Sequence, residues 1–219
     1  MMSLNKRLDL IEPKILEPRF RTGRGTANEV NFWIFDYDPE DEMAVRTHVD
    51  FLVNRINGKQ DDVRIACFDL YTLMLDVLRE KNYLDKVIKM EESKNSEAIV
   101  NPIKRTLRLT EDGDMIIAKI VENLTPEKDI IFLTGVGKAW PIIRSHTILN
   151  NLHSKVDKNP LVMFFPGNYT NELRLFGEIT DDNYYRAFKL IESPAVKCQA
   201  SNCEQFMNNR AISAPELKK

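Results

Sequence analysis

Two short acidic runs carry the side chains best suited to chemistry. Asp36-Tyr-Asp-Pro-Glu-Asp-Glu42 follows the apolar run Asn31-Phe-Trp-Ile-Phe35, and Asp69 closes Val63-Arg-Ile-Ala-Cys-Phe68. An Asp-x-Asp at the C-terminal end of a buried strand is how one class of Mg²⁺-dependent phosphatases sets a nucleophile beside an acid/base. Asp69, at another strand end, could join Asp36 to hold a metal, as a nuclease requires. Asp36, Asp38 and Asp69 are thus the candidate catalytic residues. A plainer reading competes with this one. Asp38 is a good helix N-cap and Pro39 a good first helical residue, and Glu40, Asp41 and Glu42 complement the positive end of a helix dipole. Capping accounts for every residue of the first run but Asp36, and Asp69 likewise precedes a helical pattern.

The second candidate is Gly135-Val-Gly-Lys138, which follows the apolar run Ile130-Ile-Phe-Leu133. A Walker A loop needs Gly, four residues, Gly, Lys, then Ser or Thr. Aligned on Gly137-Lys138, the first glycine falls on Phe132, inside the strand, and the hydroxyl position holds Ala139. No cradle of N–H groups forms there, and Mg²⁺ has no hydroxyl ligand. The expectation is a structural turn through Gly135 and Gly137 and no cofactor, with a nucleotide sensor at Gly135–Lys138 as the alternative.

Large aromatics and arginines anchor partner surfaces. Trp140, Arg144, Tyr184 and Tyr185 are the candidate partner-binding residues. Ile142, His146, Leu149 and Leu152 follow helical spacing, so His146 reads as a packed residue at the edge of a buried stripe rather than as a ligand. Cys67 reads as a buried small hydrophobe, and Cys198 and Cys203 lack the histidine neighbours of a zinc site.

The elements that position these residues alternate. Strand-like runs fall at 31–36, 63–69, 129–134 and 161–165, with Pro166-Gly167 as a turn. Residues 173–179 and 184–191 read as two closing strands, or a strand and a short helix. Residues 4–18 read as a short helix ended by prolines. A helix over 39–57 has Val45, Val49, Leu52 and Ile56 on one stripe and Gly58 to end it. Further helical patterns cover 70–90, 96–108, 112–123 and 139–156, the last opened by Pro141. Strands that are apolar throughout, alternating with amphipathic helices, imply a mostly parallel sheet covered on both faces. The expected fold is one α/β domain over residues 1–191, resembling a degenerate P-loop-type layout without a Walker A motif, followed by an irregular tail over 192–219.

The chain has 219 residues, 43% of them hydrophobic, and a net charge of −2. That supports a real core and does not suggest a nucleic-acid binder, which carries a basic excess. Direct DNA binding is expected to be weak or absent. There is no signal-like apolar stretch, and three cysteines suit a reducing compartment, so the expected localisation is cytoplasmic.

Four separated motifs together resemble one family. They are Asn28 to Glu42, Leu133-Thr-Gly-Val-Gly137 continuing through Trp140-Pro141, Arg144-Ser-His146 and Asn150-Asn-Leu152, then Pro166-Gly167 with Leu173-Arg-Leu-Phe-Gly177, and Asp182-Asn-Tyr-Tyr-Arg-Ala-Phe188. In this order, over roughly residues 8–191, they resemble the BrxB family of bacterial BREX phage-defence systems. The resemblance implies a small, non-enzymatic component of a defence complex. Other BREX proteins would be its partners, above all the alkaline-phosphatase-like PglZ and the ATPase BrxC. It implies no catalytic residues, in agreement with the capping reading of the acidic runs.

Overall fold

Period-two alternation sorts the strand residues onto two cores, one on each face of a central sheet. The computed structural model describes residues 2–22, 31–59, 63–109, 113–170, 172–180 and 187–192. Within them, β1 (Phe32–Tyr37), β2 (Arg64–Asp69), β3 (Asp129–Thr134), β4 (Leu161–Tyr169) and β7 (Ala187–Lys189) form a parallel sheet in the order β2-β3-β4-β1-β7. The short antiparallel strands β5 (Leu173–Leu175) and β6 (Ile179–Thr180) continue from the end of β4. The expected α/β fold with a mostly parallel sheet is what forms.

Ile34, Ile131, Leu133, Met163 and Phe165 point to one core. It is covered by α5 (Leu70–Glu80), α6 (Leu84–Ser93), α7 (Ser96–Leu107), α8 (Met115–Glu122), the single turn α9 (Val136–Ala139) and α10 (Ser145–His153). The alternate residues Phe35, Phe132, Val162 and Phe164 point to the other core. There they meet the short helices α1 (Leu4–Asp9) and α2 (Ile11–Ile15), Phe20 of α3 (Pro18–Thr22), and the Val45, Val49, Leu52 and Ile56 stripe of α4 (Glu42–Asn57). Phe164 packs with ring centroids 5.0 Å from Phe132 and 5.8 Å from Phe35, the centre of this second core.

Several boundaries depart from the sequence pattern for local reasons. Prolines do not end one helix over 4–18. Pro13 sits in the first turn of α2 and Pro18 opens α3, positions where a missing N–H has no helical acceptor to lose. The 70–90 pattern breaks at Asn82, which takes left-handed φ of 52° while the Tyr83 N–H returns to the Leu78 carbonyl. This is a Schellman-type stop, which tolerates Asn. The register restarts in α6, which buries Val87 and exposes Ile88. Pro141 does not open a helix over 139–156. Trp140 is extended, as the residue before a proline prefers to be, the Trp140–Pro141 bond is cis, and α10 starts only at Ser145.

Pro166-Gly167 is no turn either. β4 runs through it, because the Pro166 carbonyl accepts the Phe176 N–H at 2.9 Å and Gly167 pairs with Leu175. Cys67 is exposed rather than buried: β2 is an edge strand, and Cys67 alternates away from the core that takes Ala66 and Phe68. Cys198, Cys203 and the tail from residue 193 lie outside the described residues.

Candidate functional site

In an open parallel sheet, ligands bind beyond the C-terminal strand ends where successive connections leave to opposite faces. Here β1 leaves to α4 on one face, while β3 leaves to α9 and α10 on the other. β4 lies between them, and the chain itself fills the crevice. β4 outruns its neighbours to Tyr169, whose N–H donates to Asp36 Oδ2 at 3.1 Å and whose hydroxyl donates to the Ala187 carbonyl at 2.7 Å. The turn after β5 lays Phe176 against Gly137, where an added Cβ would come within 3.0 Å of the Phe176 ring and 3.2 Å of Pro166.

Asp36 is buried to 1% exposure at the end of β1. The Arg7 guanidinium donates to its Oδ1 at 2.9 Å and to its backbone carbonyl at 2.7 Å, and Lys189 lies 3.0 Å from Oδ2. Arg7 also stacks over Phe35, 4.7 Å from the ring centroid. The carboxylate thus ties α1, β1, β4 and β7 together, with both oxygens engaged. Asp38 is exposed and accepts the Glu40 N–H at 3.3 Å, capping a single 3₁₀ turn over Pro39–Asp41 ahead of α4. Asp69 accepts the Thr72 N–H at 2.9 Å as the N-cap of α5 and pairs with Lys138 at 2.6 Å. Asp36 and Asp69 end strands with β4 and β3 between them, three interstrand spacings or about 14 Å apart. The three aspartates therefore do not converge, and no His/Cys/Asp/Glu cluster of metal-binding geometry occurs among the described residues.

Because the Asp38 bond is long and exposed, Asp38→Ala is expected to cost only about 0.5 kcal/mol, the low end for a cap. Chemical denaturation should show that small change with an unaltered slope.

The glycine turn is built around Asp69 rather than around a phosphate. Gly135 takes φ 69°, and a Cβ there would fall 2.6 Å from Asp69 Oδ2. Lys138, the residue a nucleotide would need, is held by Asp69 and lies over Tyr71.

Two aspartates are held below the ordinary carboxylate value. Burial pushes the Asp69 carboxyl up, but the Lys138 ammonium and the Thr72 N–H outweigh it and hold the group below its ordinary value. For the fully buried Asp129, burial is likewise overcome by the Arg64 guanidinium, 2.7 Å from Oδ1, and by the Thr125 N–H at 2.6 Å. A carboxyl depressed in the folded state takes up its proton first in the unfolded chain. The stability it contributes is full above the ordinary carboxylate value of about 4 and is lost as pH falls through the folded value. These two carboxylates are expected to make melting temperatures fall below about pH 4 in a series from pH 7 to pH 3. Asp129→Asn should flatten that drop.

The partner-binding candidates separate. Tyr184 and Tyr185 lie outside the described residues. Trp140 is 39% exposed in the segment between α9 and α10. Arg144 lines a cleft of about 390 Å³ between α7 and the start of α10, together with Lys104 and Arg105 of α7. Ile142, Ile143, Ile148 and Leu109 supply its apolar lining. Lys104 and Arg105 carry no signal of their own in the sequence, because basic residues commonly occupy a helix's last turn. His146 lies outside this cleft's lining, with Nε2 3.1 Å from the Thr147 hydroxyl.

No helix among the described residues is long and apolar enough to cross a membrane. No solved structure matches this chain. The family model described as "BREX protein BrxB" matches residues 66–190, more than half of the chain. A BREX protein BrxB of Bacillus cereus (strain H3081.97) is 54% identical over 193 residues, covering 88% of this chain and all of that protein. Another BREX protein BrxB, from Escherichia coli O9:H4 (strain HS), is 33% identical over 189 residues, covering 86% of this chain and 92% of its own length. Similarity of this extent, over nearly the whole of both relatives, means that the chain belongs to the BrxB family.

Proposed function

We propose that this chain is a non-catalytic adaptor of a cytoplasmic BREX phage-defence complex, acting by binding other BREX proteins, with PglZ and BrxC as the foremost partners. The family membership supports the defence context. The observation that carries the adaptor reading is the state of Asp36. The carboxylate best placed for chemistry is held on both oxygens by Arg7, Lys189 and the Tyr169 N–H, in the crevice where a substrate would have to enter. A nucleophile or metal ligand needs a free lone pair directed at open space. Asp36 serves instead as a tie among four elements.

The test is purification of the tagged chain from cells carrying the whole gene cluster. PglZ, BrxC or both should co-elute, and phage plaque counts should rise when the association is lost. Recovery of the chain without any BREX protein would overturn the reading. So would Mg²⁺-dependent phosphatase or nuclease turnover by the pure chain that disappears in Asp36→Ala.

A further inference from the structure

Some surface cations in this protein are engaged by acids: Arg46 by Glu42, Arg55 and Lys59 by Glu12, Arg79 by Asp76, Lys119 by Glu80, and Arg174 by Glu172. Lys104, Arg105 and Arg144 are set apart by where they lie. They gather at one cleft, and among the described residues their side chains join no ion pair. Beside them the partly exposed Ile142 and Leu109 offer apolar surface, backed by the buried Ile143 and Ile148. α10 begins at the same place, with Arg144 as its N-cap residue, which adds a positive dipole end to the three cations.

We propose that this cleft is the docking site for an acidic segment of a partner protein, one that inserts an aliphatic side chain between carboxylates. This deepens the adaptor reading and rests on it. Three observations select that occupant. The rim is complementary to carboxylates, which would meet the three cations at the positive end of the α10 dipole. The apolar lining suits an aliphatic anchor, which a phosphate backbone does not offer. The third observation is the net charge of −2, which makes the cluster a local feature and not part of a broad basic surface of the kind that tracks DNA. Arg144, singled out in the sequence beside Trp140, belongs to the cleft through its position as the residue preceding α10.

The experiment places a photocrosslinking amino acid at Asn101 or Thr147, both in the cleft lining, in the full chain expressed with its whole gene cluster. Crosslinked peptides are mapped by mass spectrometry. In parallel, the combined variant Lys104→Glu, Arg105→Glu, Arg144→Glu is used for co-purification with PglZ and BrxC, beside a neutral version with Gln at all three positions. The expected crosslink is to a BREX protein segment that is acidic and carries a Leu, Ile, Val or Met. Partner recovery should fall about tenfold or more in the Glu variant and less in the Gln variant. Reversing the acids of the mapped segment to Lys should restore binding to the Glu variant, a rescue that a misfolded protein would not show.

Undiminished partner recovery by both variants, a crosslink to a basic or uncharged segment, or a crosslink to DNA would overturn the cleft assignment and leave the adaptor reading standing. Failure of the unaltered chain to recover any BREX protein would overturn both.

Discussion

Replacing Arg7 by alanine is expected to lower the unfolding free energy by about 3–5 kcal/mol, the cost of leaving a buried charge without its partner. Asp36 would keep Lys189 and the Tyr169 N–H but lose the guanidinium, and its backbone carbonyl would lose a donor. Arg7 has one buried atom, Nε, with no hydrogen-bond partner, so the pair is held at a cost in desolvation even in the native protein. Removing one half therefore loses the compensation and keeps the penalty. For a domain of this size the melting temperature should fall by roughly 10 °C. Asp36→Ala should destabilise comparably, and the double variant should cost far less than the sum of the two, because it removes both charges. Denaturant melts of the four proteins measure this cycle. A catalytic Asp36 predicts the opposite signature, an unchanged or raised melting temperature with lost turnover. Near-additive single effects would show that the pair is not coupled.

The second large effect is expected at Gly167. Its φ is 156°, and a Cβ there would overlap the Arg174 carbonyl oxygen and approach the Phe176 N–H nitrogen to 3.0 Å. Both obstacles are backbone, so neither can swing away as a side-chain end would. Gly167→Ala must separate β5 from β4 at the Gly167–Leu175 pair, and with them the turn that carries Phe176 over Gly137. A loss of about 3 kcal/mol or more is expected, the upper range for forced overpacking. Amide hydrogen exchange should show faster exchange at Phe176, whose N–H bonds to Pro166, while β2 and β3 remain protected. A melting temperature within a degree of the natural protein would contradict this placement of the hairpin. By comparison, Gly137→Ala meets only the Phe176 ring and Pro166 side chain, which can give way.

Much of the fold is legible residue by residue. The alternation of Ile130, Ile131, Phe132 and Leu133 between two cores follows from the pleat alone. So does the buried stripe Val45, Val49, Leu52 and Ile56 from the helical period. Asp38-Pro39 and Asp69 were readable as caps because a cap is a contact within three residues. Features that fail in the pattern do so where a second local rule competes. Asn82 could have been read as a helix stop, and Trp140 as extended from the proline that follows it. Pro166-Gly167 reads as a turn by composition, yet it is strand because its partners lie on two different segments, Tyr37 and Leu175.

Periods, caps, family and fold class are all readable along the chain, since each depends on near neighbours or on motifs kept in order. What the acidic residues do follows from contacts between distant segments. Asp36 and Asp69 look equivalent as strand-terminal aspartates, and nothing within ten residues of Asp36 announces Arg7, 29 positions earlier, or Lys189 far along the chain. Strand order set their fates: β4 and β3 came to lie between the two carboxylates, and β7 was added beside β1. The same long-range assembly brought Lys104 and Arg105 of α7, unremarkable at their place in the chain, to Arg144 ahead of α10, making a cleft of three cations. Local periodicity settles which face a side chain takes. Which strand lies next to which depends on how the connections cross the two faces, and that has no period to read.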